Sequence, residues 1–232
     1  VEQLETTLIL FEIEHDDCWS KLTSDHSVTI RTVFAKPKRN EYILGIDEIK
    51  VAKSKDFKDF LRAFKKDKSV LGITNVSEVD KKRGIYRITF KEKFDHMLMS
   101  ALNNYTVFYF KDLIRKGKER LIVVTPSDEV GSLKEELESL GKITLFRSSY
   151  ISLDSLIPTF FDLSEQELHS LTEAISRGYY NFPRRINLDE LGNILELSKP
   201  TIEEYIRKAE KKIMMKYYNE ICQLDLLAKN ID

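Results

Sequence analysis

The residues best suited to chemistry in this chain of 232 residues stand close together near its start: Glu14-His15-Asp16-Asp17-Cys18-Trp19, with His26 a few positions on. Imidazole, carboxylate and thiol are metal-ligand types, and a cysteine near a histidine can also form a nucleophile pair. The spacing His-x2-Cys-x7-His matches no strong zinc pattern and offers no fourth ligand. Asp16 and Asp17 are equally well explained as charged loop residues at a strand end, and Cys18 and Trp19 as side chains packed under a sheet. His15, Cys18, Trp19 and His26 are thus the candidate ligand-binding residues, for a small molecule, a metal or a redox signal. They imply no catalytic set, no assigned metal and no cofactor.

A second group is basic and lies near the other end. Arg184 and Arg185 follow an aromatic run, Tyr179-Tyr180-Asn181-Phe182-Pro183. Lys199, Thr201, Glu204, Arg207, Lys208 and Lys211 recur along a helical stretch. On a helical wheel, Ile202, Ile206 and Ala209 share one side, while Pro200, Thr201, Glu204, Arg207, Lys208 and Lys211 share the other. Facing a duplex, lysine and arginine pair with phosphates or guanine edges, and a glutamate accepts from cytosine N4. Glu203 and Glu204 bring two carboxylates to the same neighbourhood. The charge from residue 163 onward, ten basic residues against twelve acidic, would equally suit a solvated helical bundle that makes only protein contacts.

Other chemistry finds little support. The run Tyr105, Phe108, Tyr109, Phe110 could stack on bases, but it also fits the two faces of a buried strand. With eight glycines and no G-x-G-x-x-G or Walker spacing, there is no phosphate-cradling loop.

Two kinds of element must position these groups. Up to about residue 150, β-branched and aromatic runs alternate with amphipathic stretches. Strands are expected at 6–14, 27–35, 41–51, 69–76, 84–91, 105–110, 120–125 and 143–147, and helices at 16–24, 54–66, 94–102 and 127–140. Gly141 is expected to stop the last of these helices. Both halves of this stretch read β-α-β-β-α-β, displaced by about 76 residues, so that Phe57, Phe60, Leu61 and Phe64 fall opposite Leu133, Glu136, Leu137 and Leu140. The unit is the ferredoxin-like motif. The expected fold class is therefore α+β: tandem ferredoxin-like units over 1–150 that share a sheet or pack their sheets together, a linker at 151–161 containing Pro158, and an all-α helix-turn-helix domain over 162–232.

In that last domain Ser164 with Glu167, and Asn187 with Glu190, form capping boxes. The first helix buries Leu168, Leu171 and Ile175 and ends at Gly178. The second runs through Leu188, Leu191, Ile194 and Leu195. Ser198 caps the third, with Pro200 in its first turn and Ile202, Ile206, Ala209 and Ile213 on its apolar stripe. A two-turn helix, a two- or three-residue turn and a longer capped helix have helix-turn-helix proportions.

The residues Leu163-Ser164, Ala174-Ile175-Ser176-Arg177-Gly178-Tyr179-Tyr180, Pro183-Arg184-Arg185-Ile186, Leu188-Asp189-Glu190-Leu191, Leu197-Ser198-Lys199 and Arg207–Lys212 together resemble the bacterio-opsin-activator (Bat) type of archaeal helix-turn-helix domain. The aromatic pair after a glycine, followed by Pro-Arg-Arg, is the distinctive piece, and the resemblance runs from Leu163 to Tyr218. It implies a sequence-specific transcription regulator of archaeal origin, with double-stranded DNA as partner. It says nothing firm about residues 1–150, where a sensory role for a small-molecule effector is the expectation.

Charge balance, 37 basic residues against 38 acidic, excludes disorder driven by net charge and shows no overall basic field. Two distant cysteines, Cys18 and Cys222, form no disulfide framework and suit a reducing cytoplasm. No apolar run reaches bilayer-spanning length and no signal core is seen at the start, so a cytoplasmic location without membrane contact is expected. Apolar residues continuing from Ile213 to Leu227 suggest a homodimer. The competing reading is a small-molecule- or metal-binding protein whose C-terminal helices serve protein contacts.

Overall fold

In the computed structural model, residues 4–153 and 162–228 are described, the last ten by their backbone alone. Pro158, and the side chains beyond Tyr218, with Cys222 and the apolar residues up to Leu227, lie outside the described residues. The chain falls into two compact units, Val1–Leu156 with Leu227–Asp232, and Ile157–Leu226.

The first unit is an eight-stranded, wholly antiparallel sheet. Its strands are β1 (Thr6–His15), β2 (Val28–Lys38), β3 (Tyr42–Val51), β4 (Val70–Asp80), β5 (Ile85–Lys93), β6 (Tyr109–Arg115), β7 (Lys118–Pro126) and β8 (Gly141–Tyr150), in the spatial order β4-β5-β3-β2-β6-β7-β1-β8. Helices α1 (Ser54–Phe64), α2 (Leu98–Leu102) and α3 (Val130–Leu140) cover its core face. Alternation explains which strand residues turn inward: Ile43, Gly45, Asp47, Ile49 and Val51 of β3 are buried, while those between them are more exposed.

The two halves share one sheet, one of the two arrangements expected, but each half does not pair its strands as a separate ferredoxin-like unit would. Two separate ferredoxin-like units would each pair their own first strand with their own third. Here β1 lies between β7 and β8, and β5 lies between β3 and β4. Each half therefore takes its first strand from the other. The physical cause is the β4–β5 connection, only four residues from Lys81 to Gly84, with Gly84 in the left-handed region. So short a turn folds β5 straight back onto β4. The place β5 would have filled beside β7 is occupied by β1. The halves meet where β2 joins β6, with Ile30 opposite Ile114.

Two hydrophobic clusters hold the helices down. Phe57, Phe60 and Phe64 of α1 pack on Ile49, Ile88 and Phe90, and Trp19 meets Phe64 and Phe90 edge-on at 5.2 and 5.8 Å. Leu133, Leu137 and Leu140 of α3 pack on Ile9, Phe11, Ile13, Leu121 and Val123. Each fully buried aromatic or branched side chain contributes about 1.5–3 kcal/mol.

Several local expectations need correction. The stretch 16–24 forms only a 3-10 turn, Trp19–Ser24, and the helix expected from Phe94 begins at Leu98. The strand expected at 105–110 begins at Tyr109 and continues to Arg115. Gly141 is extended, with φ 167°, and is no left-handed helix stop. It opens β8, where a Cβ would stand 2.3 Å from the Glu14 carbonyl oxygen. Close backbone approach is what requires glycine there.

The second unit is helical: α4 (Glu165–Ser176), α5 (Leu188–Leu195) and α6 (Lys199–Ala228). Ala174, Leu191, Ile202 and Ile206 form its centre, with Tyr179, Ile186, Leu188, Leu195 and Leu197 packed around them.

Candidate nucleic-acid interface

Local chemistry fixes α4 and α5 first. Ser164 Oγ accepts from the Glu167 amide and the Glu167 carboxylate accepts from the Ser164 amide; Asn187 and Glu190 repeat the arrangement. Each box satisfies two amides that the first helical turn leaves free. α4 ends at Gly178, whose φ of 78° is open to glycine. The Gly178 carbonyl then accepts from the Asn181 and Arg185 amides, folding the aromatic connector back on the helix end. Within that connector the Phe182–Pro183 peptide is cis, Arg184 lies over the Tyr179 ring at 4.5 Å, and Tyr180 Oη donates to Glu210 Oε1 of α6 at 2.6 Å.

The buried face of α4 differs from the expected one. Leu171 is buried, but Leu168 and Ile175 are exposed, while Glu167, Ser170 and Ala174 face inward. The stripe is rotated because the capping Glu167 is held inside, where Lys212 of α6 donates to it at 2.6 Å. Ile213 is likewise exposed, so the buried stripe of α6 ends at Ala209.

The turn between α5 and α6 is Glu196-Leu197-Ser198, with Glu196 in the left-handed region at φ 55°. Gly192 makes the turn possible: a Cβ there would sit 2.8 Å from the Leu197 carbonyl oxygen. Ser198 Oγ accepts from the Thr201 amide, and α6 leaves the turn with Ile202, Ile206 and Ala209 facing α4 and α5.

Its other face is the candidate interface. Lys199, Pro200, Glu203, Glu204, Arg207, Lys208 and Lys211 are exposed and Thr201 is half-exposed. Some of these cations are already engaged: Lys199 with Asp189 at 2.7 Å, and Lys208 with Glu204 at 2.6 Å. Arg207 and Lys211 form no ion pair among the described residues. Arg184 and Arg185 are exposed in the connector before α5.

These helices match known proteins. Residues 163–215 match the model of a family described as HTH DNA binding domain. A protein of Haloferax volcanii, provisionally named a transcriptional regulator, is 31% identical over 61 residues, which make up 26% of this chain and 10% of that protein. The chain thus spans about a tenth of the length of this relative. No helix among the described residues is long and apolar enough to cross a membrane.

The other candidate residues meet in the first unit, around a cavity of about 30 Å³. His15, at the end of β1, donates from Nε2 to the His96 carbonyl oxygen at 2.9 Å, and its Nδ1 is 3.0 Å from Glu119 Oε1 of β7. Cys18 is buried, and its sulfur accepts from the Ser20 amide at the start of the 3-10 turn. Trp19 Nε1 donates to Glu92 Oε2 at 2.7 Å. His26 is not part of this group and stands edge-on to Phe60 at 6.0 Å.

Four carboxyl groups line the same cavity without having been anticipated: Asp47, Glu92, Asp112 and Glu119. The signal for two of them was present in the alternation. Asp47 is in phase with Ile43 and Ile49, and Glu92 with Ile88 and Phe90. Burial raises Glu92 to about 7 despite the Trp19 hydrogen bond. Burial likewise raises Asp112 to about 6, against two hydrogen bonds from Thr32. Burial and the neighbouring acids hold Asp47 well above the carboxylate range. For Glu119, burial is outweighed by the hydrogen bond and charge of His15, so it stays low. His15 is raised, because Glu119 outweighs the opposing effect of burial. Burial also pushes the Cys18 thiol well up.

Proposed function

We propose that this chain is a sequence-specific DNA-binding transcription regulator of archaeal type, acting in the cytoplasm, with α6 as its recognition helix and the eight-stranded unit as its sensory part. It is not an enzyme in this reading. The observation that carries it is that Arg207 and Lys211 are exposed, with no ion pair among the described residues, on the side of α6 opposite Ile202, Ile206 and Ala209. Side chains so placed can reach a major groove while the apolar side stays seated on α4 and α5. Arg184 and Arg185 serve the phosphate backbone, and Thr201, Lys199, Lys208 and Glu204 complete the contact set, once Lys199 and Lys208 exchange carboxylates for phosphates.

A helix-turn-helix of this size reads only a few base pairs, so the reading includes a homodimer on a repeated site. Exposed Ile213, Met214, Met215 and Tyr217 along α6 support a self-association surface. One observation favours the rival reading, a metal- or small-molecule-binding protein with protein-contacting helices: Glu203 and Glu204 share the exposed side of α6 with Arg207.

Fluorescence anisotropy with DNA from the chain's own promoter and with a scrambled duplex decides between them. Tighter binding to the promoter, weakening steeply with salt, is expected of the regulator. Equal affinity for both duplexes, or none at low salt, rejects it.

A further inference from the structure

We propose that the cavity in the first unit is a binding site for one divalent metal ion of the zinc type, held by His15 Nδ1, Cys18 Sγ and a carboxylate oxygen of Glu119. The proposal concerns the eight-stranded unit alone and does not depend on DNA binding. These three ligand atoms lie within 4.8 Å of one another, and all three residues are buried. They come from the end of β1, the turn after it and the start of β7, so the exchanged strand brings them together.

The imidazole supplies the first argument. Its Nε2 faces a backbone carbonyl, which can only accept, so Nε2 carries a hydrogen. Nδ1 therefore faces the Glu119 carboxylate either with a second proton or with a lone pair. A histidine whose far nitrogen is fixed by a carbonyl while the near one points at other donors is the usual arrangement around a ligated metal.

Charge and partner count supply the second. Four carboxyl groups and a thiol surround the cavity, and no Lys or Arg is among the residues lining it. Glu92 is answered by Trp19 and Asp112 by Thr32, but Asp47 Oδ2 is buried with no hydrogen-bond partner among the described residues. A buried acceptor left unpaired costs about 1–3 kcal/mol, more if charged. A cation with a bound water in the cavity answers the missing donor to Asp47.

Size and donor type narrow the ligand. A cavity of about 30 Å³ is roughly twice what a single water requires, room for an ion with a bound water. One nitrogen, one sulfur and one oxygen donor suit zinc-type ions, whereas magnesium and calcium take oxygen alone. Bonds of roughly 2.0–2.3 Å require the most distant pair to close by about 1 Å, and three protein ligands leave a fourth position for water.

The test uses the full chain, stripped with chelator and titrated with Co²⁺ as a spectroscopic stand-in. Binding of one equivalent is expected, with a thiolate-to-cobalt charge-transfer band and a raised melting temperature. Cys18→Ser should abolish the band, and Glu119→Gln should weaken Co²⁺ affinity by roughly 10–100-fold. Cys222→Ser, which removes the only other cysteine, should keep it. Absence of a band, a band that survives Cys18→Ser, or one lost in Cys222→Ser overturns the proposal. Should Cys18→Ser fail to fold, Cys222→Ser alone assigns the thiolate.

Discussion

Glu12 and Arg120 stand opposite one another on β1 and β7, and the guanidinium donates to Glu12 Oε2 at 2.7 Å with both side chains almost wholly buried. Lys118 and Thr144 donate to the other carboxylate oxygen at 3.0 and 2.6 Å. Removing one partner of such a pair strands the other charge, so Glu12→Gln should destabilise the first unit by about 3–5 kcal/mol. Urea unfolding at neutral pH measures this, and a loss below about 1 kcal/mol would show the pair to be dispensable.

The same carboxylate sets an acid limit. Burial would raise Glu12, but its hydrogen bonds and the Arg120 charge outweigh burial and hold it below its ordinary 4.5. A depressed carboxyl stabilises the folded state fully above its unfolded value and loses that contribution as pH falls through the folded one. The stability difference between wild type and Glu12→Gln should therefore be constant from pH 7 to about pH 5 and shrink below about 4.5. Paired urea titrations across that range check the sign.

In α6, Arg207→Ala should weaken promoter binding by about 1–3 kcal/mol and relax preference at one base position, if Arg207 reads a guanine. Lys211→Ala should weaken binding to all sequences alike and reduce the salt slope by about one, as a phosphate contact does. Anisotropy at several salt concentrations separates these outcomes, and an unaltered curve removes the residue from the interface.

Glu196 occupies a left-handed backbone position that costs a non-glycine residue roughly 1–2 kcal/mol. Glycine loses more entropy on folding, which offsets part of the gain. Glu196→Gly should raise the stability of the helical unit by a net of about 0.5–1 kcal/mol. A melting temperature unchanged or lowered would show that the Glu196 side chain contributes more than its backbone costs.

Sedimentation should show a dimer at micromolar concentration, and Ile213→Glu with Met214→Glu should shift it toward monomer. A chain that is monomeric before any substitution removes the self-association surface.

The parts of this architecture that were legible in the sequence are those written locally. Ser164 with Glu167 and Asn187 with Glu190 announced their helices because a cap and its partner are three residues apart. Phe57, Phe60 and Phe64 announced α1 through its period. The exchange of β1 and β5 was not legible, since alternation tells which face a residue takes and not which strand lies beside it. Leu168 and Ile175 misled for a related reason: a short helix with several apolar residues fits more than one stripe, and the burial of Glu167 through Lys212 is a tertiary choice. His15 and Cys18 were visible as a pair, but Glu119, about a hundred residues on, joins them only once β1 is laid against β7.

The crossing of β1 and β5 has a consequence for how the first unit comes into being. A chain severed between Asp80 and Ile85 would leave two fragments, each with a gap in its sheet that only the other's leading strand can fill. Neither fragment is a domain by itself, yet mixed together they hold every strand needed to rebuild the whole. The apparent tandem repeat is thus a single interlocked body, folding late and all at once, because its earliest-made segment must wait for its last before it can be seated.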